Sequence, residues 1–247
     1  MEGWKKWYIV IAIVFIVTAI AGKIIRTQAP DTGLAEVDQL EDLLSLPVEL
    51  EYALGDNGSK GVVVKDLTQN QENYIRQAEE ADIIVLAEST GNLQFTTGTY
   101  GQEIRVSSVI KGSEWIDQNE KCWVWRNYGM EVMDGKIVYR NVLNLMQTGS
   151  YLVFLKRNQL NEYRAEKEFQ TASEYFGYLQ IPESKAQPIK QSQRNTIYKE
   201  WSELSIFTVS EEIADAWNQI AEILIQKLRD RKSGAKVPLF LSPYVVF

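Results

Sequence analysis

Residues 100–112 read YGQEIRVSSVIKG. Ile104, Val106 and Ile110 share one face at period two, and Arg105, Ser107 and Val109 share the other. That alternation is the mark of a strand with one buried face, and Lys111-Gly112 ends it. Upstream, residues 71–81 have a helical pattern and lead directly into the apolar run Asp82-Ile83-Ile84-Val85-Leu86-Ala87. Downstream, residues 121–126 read KCWVWR, a third strand with Trp123 and Trp125 on one face and Cys122, Val124 and Arg126 on the other. Asp134-Gly135, between residues 131–133 and 137–139, has the composition of a hairpin turn. Residues 151–156, YLVFLK, are apolar on both faces and belong in the middle of a sheet. Residues 162–166 and 174–181 are further strands able to pair with that one.

Working outward, residues 38–46 read as a short helix stopping before Pro47. Asp56-Asn57-Gly58-Ser59 is a turn, followed by a short strand at Val62–Val64. Residues 185–194 read as a polar surface loop, and Ile206–Val209 as another short strand. Ser210 caps a helix that runs to about Arg231 and stops before Gly234. Ile213, Trp217, Ile220, Leu224 and Leu228 form its apolar stripe. Glu211 and Glu212 lie in its first turn and Lys227, Arg229 and Arg231 in its last, as the helix dipole favours. The apolar tail at 237–247 reads as an edge segment packed on the domain. The fold class is mainly β with flanking helices (α+β), a small barrel carrying a C-terminal amphipathic helix.

The N-terminus has a different composition. Residues 7–21 read WYIVIAIVFIVTAIA, without charge, and the apolar stretch continues to Ile25. Nineteen residues is about the length that crosses a ~30 Å hydrocarbon core. Lys5 and Lys6 precede the span, whereas the chain beyond Arg26 turns acidic. The bias keeps the N-terminus in the cytoplasm and the rest outside. The competing reading is a signal peptide cleaved after Ala21, where Ala19-Ile20-Ala21 has small-x-small spacing. The retained anchor is preferred because apolar residues continue past that point. The chain then divides into a tail and signal-anchor at 1–26, a linker and extension at 27–70, a barrel domain at 71–182, and a loop, helix and tail at 183–247.

Net charge is −7, and the first 26 residues contribute +3 (Lys5, Lys6, Lys23 and Arg26 against Glu2), so the remainder carries −10. A domain that acidic repels phosphate backbones, and nucleic acid is not an expected partner. The sequence has one cysteine, Cys122, and no histidine. No internal disulfide can form, and Ser-His-Asp and Cys-His catalysis are excluded. Ordinary zinc sites are nearly excluded, since Cys122 alone supplies no thiolate cluster.

Three motifs occur in order: ADIIV at 81–85, VSSVIKG at 106–112 and GSYLVFL at 149–155. Their succession resembles uncharacterised exported bacterial proteins whose domain looks like an oligonucleotide/oligosaccharide-binding (OB) barrel of the netrin and metalloproteinase-inhibitor kind. The resemblance covers residues 81–178. It implies that the first motif opens the barrel, the second leads to a turn and the third crosses it. It attaches no activity to any residue. The chain lacks the inhibitors' metal-chelating N-terminal cysteine and their disulfides, so inhibition of metalloproteinases does not carry over.

Candidate functional groups are weighed against packing roles. Trp123 and Trp125, flanked by Trp115 and Tyr128, could stack on a sugar or peptide, but core filling is the simpler role. Cys122 reads as a buried apolar residue rather than a reactive thiol; Lys121 and Arg126 are weak substitutes for an activating histidine. The acidic groups Glu79-Glu80-Asp82 and Glu211-Glu212-Asp215 sit at helix ends, where carboxylates cap. Residues 56–59 lack calcium-loop spacing. Ser107 and Ser108 near Lys111 are the only Ser-Lys candidates, and no catalytic role is expected of them. The helix stripe of Ile213, Trp217, Ile220 and Leu224 covers the barrel more simply than it docks a partner. No catalytic, cofactor-binding or metal residue is assigned. The expectation is an anchored, non-enzymatic extracytoplasmic protein that binds a protein or small ligand, with residues 7–25 in the membrane. An anchored envelope hydrolase and an accessory subunit of a membrane complex are the alternatives.

Overall fold

The computed structural model describes residues 37–96, 99–127, 129–133, 136–157, 167–181 and 186–234, together with Thr18. The expected anchor at 7–25 (Thr18 excepted), Tyr128, the turn at 134–135, the strand at 162–166 and the tail at 237–247 lie outside the described residues. Among the described residues no helix is long and apolar enough to cross a membrane.

Five strands close into a barrel: β2 (Ile83–Thr96), β3 (Thr99–Lys111), β4 (Lys121–Asn127), β7 (Ser150–Arg157) and β8 (Glu168–Thr171). Their order is β2-β3-β4-β8-β7, and β7 returns to pair with β2. Every pairing is antiparallel except β4–β8, where Trp123, Val124 and Trp125 face Glu168, Phe169 and Gln170 in parallel. Closing so few strands requires strong coiling, and three register shifts between β2 and β3 supply local bends. β7 is buried on both faces from Tyr151 to Leu155, as its composition predicts. One edge of β7 holds β2; along the other, β9 (Tyr178–Ile181) pairs with its first half and β8 with its second.

The long helix α4 (Glu211–Gly234) lays Ile213, Trp217, Ile220, Leu224 and Leu228 into the barrel's core cluster. Trp217 stacks on Phe176 at 5.6 Å, and its indole N–H donates to the Tyr175 carbonyl at 2.8 Å. The expected stripe is thus a packing face. Ser210 precedes the helix, but its buried hydroxyl has no hydrogen-bond partner among the described residues, so the cap expected there is not made by its side chain.

Val62–Val64 is a correction. These residues belong to α2 (Lys60–Gln69), not to a strand. The three valines suggest β structure by propensity, but no strand edge meets them. Helix α2 buries Leu67 fully, Val63 and Val64 pack against the main core, and Val62 stays 72 % exposed. Tertiary packing overrides a local preference worth under ~1 kcal/mol. Helix α3 (Gln71–Glu79) then leads into β2 as expected.

A second sheet has the order β10-β1-β6-β5, from β1 (Pro47–Leu50), β5 (Met130–Met133), β6 (Lys136–Tyr139) and β10 (Asn195–Ile197). The expected hairpin at 131–139 forms, but in this sheet and not in the barrel. Within the expected extension at 27–70, helix α1 (Leu40–Leu43) and β1 feed a second core with Leu43, Val48 and Leu50. Tyr139, Trp201 and Phe207 meet edge-on there at 4.9–5.8 Å, and Tyr198 joins Trp201 at 5.9 Å. The outer end of the β2–β3 hairpin reaches this core through Leu93 and Tyr100. The 206–209 segment makes isolated bridges through Ile206 and Thr208.

Candidate functional site, a cavity at the barrel rim

Strand alternation places the side chain that matters most. Cys122, Val124 and Arg126 share the inward, buried face of β4, so its last inward residue is a cation at the barrel's end. Arg126 is only 5 % exposed. One Nη donates to the Tyr178 hydroxyl at 3.2 Å; the other donates to Asn141 Oδ1 at 2.8 Å and to the Glu174 carbonyl at 3.0 Å. The guanidinium carbon lies 5.5 Å from the Tyr178 ring centroid. Asn141 is itself oriented, since its Oδ1 also accepts the Val142 N–H at 2.8 Å. Tyr178 donates onward to the Asn144 carbonyl.

Among the described residues every group that holds Arg126 is neutral. Among the described residues no carboxylate forms an ion pair with it. Burial acts against its charge, but charge interactions with Tyr100, Tyr178 and Tyr139 and the hydrogen bond to Tyr178 raise its pKa, so Arg126 is a cation throughout the working pH range. Burial drives Tyr178 and Tyr139 well above the ordinary phenol value, so both hydroxyls stay protonated at neutral pH. Among the described residues the charge of Arg126 is therefore met by dipoles and not by a carboxylate.

A cavity of about 340 Å³ opens beside it. Trp125 and Arg126 line it from β4, Gln170 and Thr171 from β8, and Arg140 and Asn141 from the segment after β6, with Glu174 closing the turn. The site thus sits where barrel and second sheet meet, a usual place for ligands. Arg140 is ion-paired through Nε to Glu51. Trp125 lies flat over Gly101, where a Cβ would stand 3.0 Å from the indole, so glycine makes room for the ring. The Trp125 indole N–H is buried without an acceptor among the described residues. A second space of about 20 Å³, bounded by Asn144, Gln147 and Tyr178 among others, is large enough only for a water.

The other sequence candidates do not converge here. Trp123 is 7 % exposed and lies 6.4 Å from Trp125, so the two form no open platform; Trp125 alone reaches the cavity. Trp115, 40 % exposed, carries the Arg157 guanidinium over its ring at 4.0 Å. Cys122 is 2 % exposed, and burial, with Glu120 adding, pushes its thiol up to about 12. Lys111 donates to the Glu79 carbonyl, and neither Ser107 nor Ser108 lines a cavity described above. Glu80 pairs with Arg76, Asp82 accepts the Arg157 N–H, and Glu212 pairs with Lys60. Asp56 accepts the Ala53 N–H and pairs with Arg194. Among the described residues no three acidic, cysteine or histidine side chains gather as metal ligands.

Residue pattern alone gives Arg126 little weight and points to neither Arg140 nor Asn141. One signal was available: a charged residue in phase with Cys122 and Val124, on the core face of a strand. The chain matches no protein-family model and no curated protein sequence.

Proposed function

We propose that this chain is an anchored extracytoplasmic binding protein, with residues 7–25 in the membrane, the N-terminus cytoplasmic and an OB-like domain outside. The OB assignment is supported by the strand order β2-β3-β4-β8-β7 and the parallel β4–β8 pair. In sequence numbering of the barrel strands this is 1-2-3-5-4-1, a five-stranded Greek-key barrel. Export is supported by the apolar N-terminal stretch and the flanking lysines. The observation that carries the binding function is the cavity of about 340 Å³ built around a buried arginine with no carboxylate partner among the described residues. Among the described residues its lining offers hydrogen-bond donors, amides, an aromatic face and one carboxylate, Glu174.

Two measurements test this reading. A Lys60→Cys variant is treated in intact cells with a membrane-impermeant maleimide; Cys122 is buried and stays silent. Labelling of intact cells is expected, and labelling only after lysis would place the domain inside. Separately, small polar ligands that raise the melting temperature of the full chain should lose that effect in Gln170→Trp, which fills the cavity from an exposed strand position. Ligand stabilisation indifferent to that substitution would locate binding elsewhere.

A further inference from the structure

Resting on the binding reading above, we infer that the rim cavity takes a small, singly charged carboxylate bearing hydroxyl groups, with Arg126 as its fixed cation. A guanidinium carries five N–H donors. The three bonds to Tyr178, Asn141 and Glu174 leave two donors without a protein acceptor among the described residues. Removing a cation from water without a counter-ion is costly, and an anion in the cavity offsets that cost. Arginine is suited to this because it keeps its charge at any working pH and is more weakly hydrated than an ammonium.

The lining also sets the ligand's charge and size. Among the described residues Arg126 and Arg140 face the cavity with Glu174 as the one carboxylate; Arg140 is paired to Glu51, and Arg126 has no carboxylate partner. Glu174 is exposed, so water screens it, whereas Arg126 is not screened. Residues 27–247 carry −10, a field that repels polyanions. A monoanion close to Arg126 feels the nearby guanidinium more strongly than charges beyond a Debye length of ~8 Å. Gln170 and Thr171 supply neutral donors and acceptors for hydroxyl groups, and Trp125 supplies an apolar wall. A volume of about 340 Å³ suits one sugar-sized molecule, near the lower end of ligand pockets. The shared chemistry covers a free sugar acid and the terminal uronic residue of an oligosaccharide.

Calorimetric titration of the detergent-solubilised full chain tests this with D-glucuronate, D-glucose, inorganic phosphate and a short oligosaccharide ending in glucuronate. Saturable glucuronate binding is expected, with glucose at least ~30-fold weaker, and the same loss in Arg126→Gln. Arg105→Gln, exposed on β3 outside the cavity, should bind as the parent does. Tighter binding of the oligosaccharide would identify a terminal residue as the source; tighter binding of the monosaccharide would identify the free acid. Either result supports the inference. Should Arg126→Gln fail to fold, Gln170→Trp must abolish the glucuronate signal instead. Phosphate binding as tight as glucuronate would overturn the carboxylate assignment, and no saturable glucuronate binding would overturn the inference. Glucose binding abolished by Gln170→Trp would overturn the charge argument while keeping the cavity as a binding site. Glucuronate binding unchanged in both Arg126→Gln and Gln170→Trp would overturn the inference and the cavity reading together.

Discussion

The two ends of strand β4 treat charge in opposite ways. At its start, Lys121 pairs with Glu103 at 2.9 Å, and Lys167 pairs with Glu120 at 2.8 Å. These groups reach solvent, each cation has its anion, and the buried residue beside them is the neutral thiol of Cys122. At its far end Arg126 is buried, held by phenol, amide and carbonyl groups, and opens onto a cavity. Surface pairs of the first kind contribute little to stability and need no other purpose. A buried cation with no anion paired to it among the described residues carries a desolvation cost that the surface pairs do not.

The sharpest way to break this contrast is Arg126→Ala. It removes the donor from Asn141, Tyr178 and the Glu174 carbonyl and leaves a hole at the rim. Urea unfolding should show a loss of ~3 kcal/mol. A loss under ~0.5 kcal/mol would mean that the rim does not depend on the cation. Arg126→Met, which keeps volume without charge, should recover part of the deficit if desolvation of the charge is the dominant cost.

Next in size is Gly101→Ala, whose Cβ would press on the Trp125 ring at 3.0–3.2 Å. A loss of ~1–2 kcal/mol is expected, with a shift in tryptophan emission. Unchanged emission and stability would show that the ring over β3 moves freely.

Cys122 offers a pH test at the other end. Its thiol is raised from 9.0 to about 12 in the fold. A group raised by folding gives its full stabilisation below the unfolded value and loses it as pH rises toward the folded one. Stability should therefore fall between about pH 9 and pH 12, with this thiol contributing a slope of up to ~1.4 kcal/mol per pH unit that Cys122→Ala removes. An identical slope in that variant would acquit the thiol. In the native state it should also resist thiol reagents at pH 8.

The smallest effect belongs to Glu103. Burial acts to raise its pKa, but hydrogen bonds from Lys121, Thr90 and Asn92 prevail and hold it below 4.5. Its stabilisation is present above the unfolded value and lost as pH falls through the lower folded one. Glu103→Gln should cost ~0.5–1 kcal/mol at pH 7 and less at pH 3. A larger loss at pH 3 would reverse the sign of this account.

Local pattern made much of this protein legible. The period-two alternation of residues 104–110 and the both-face apolarity of 151–155 determined β3 and β7, because strand periodicity is a property of the chain alone. The stripe from Ile213 to Leu228 determined α4 in the same way. Other features needed the third dimension. Val62–Val64 became helix because α4 stood ready to receive it, and the 130–139 hairpin left the barrel to pair with β1. The cavity joins residues 125–126, 140–141 and 170–174. Separation along the chain hides such a meeting, and only the closure of the barrel against the second sheet decides that Arg126 ends up buried, with an open space beside it and no carboxylate paired to it among the described residues.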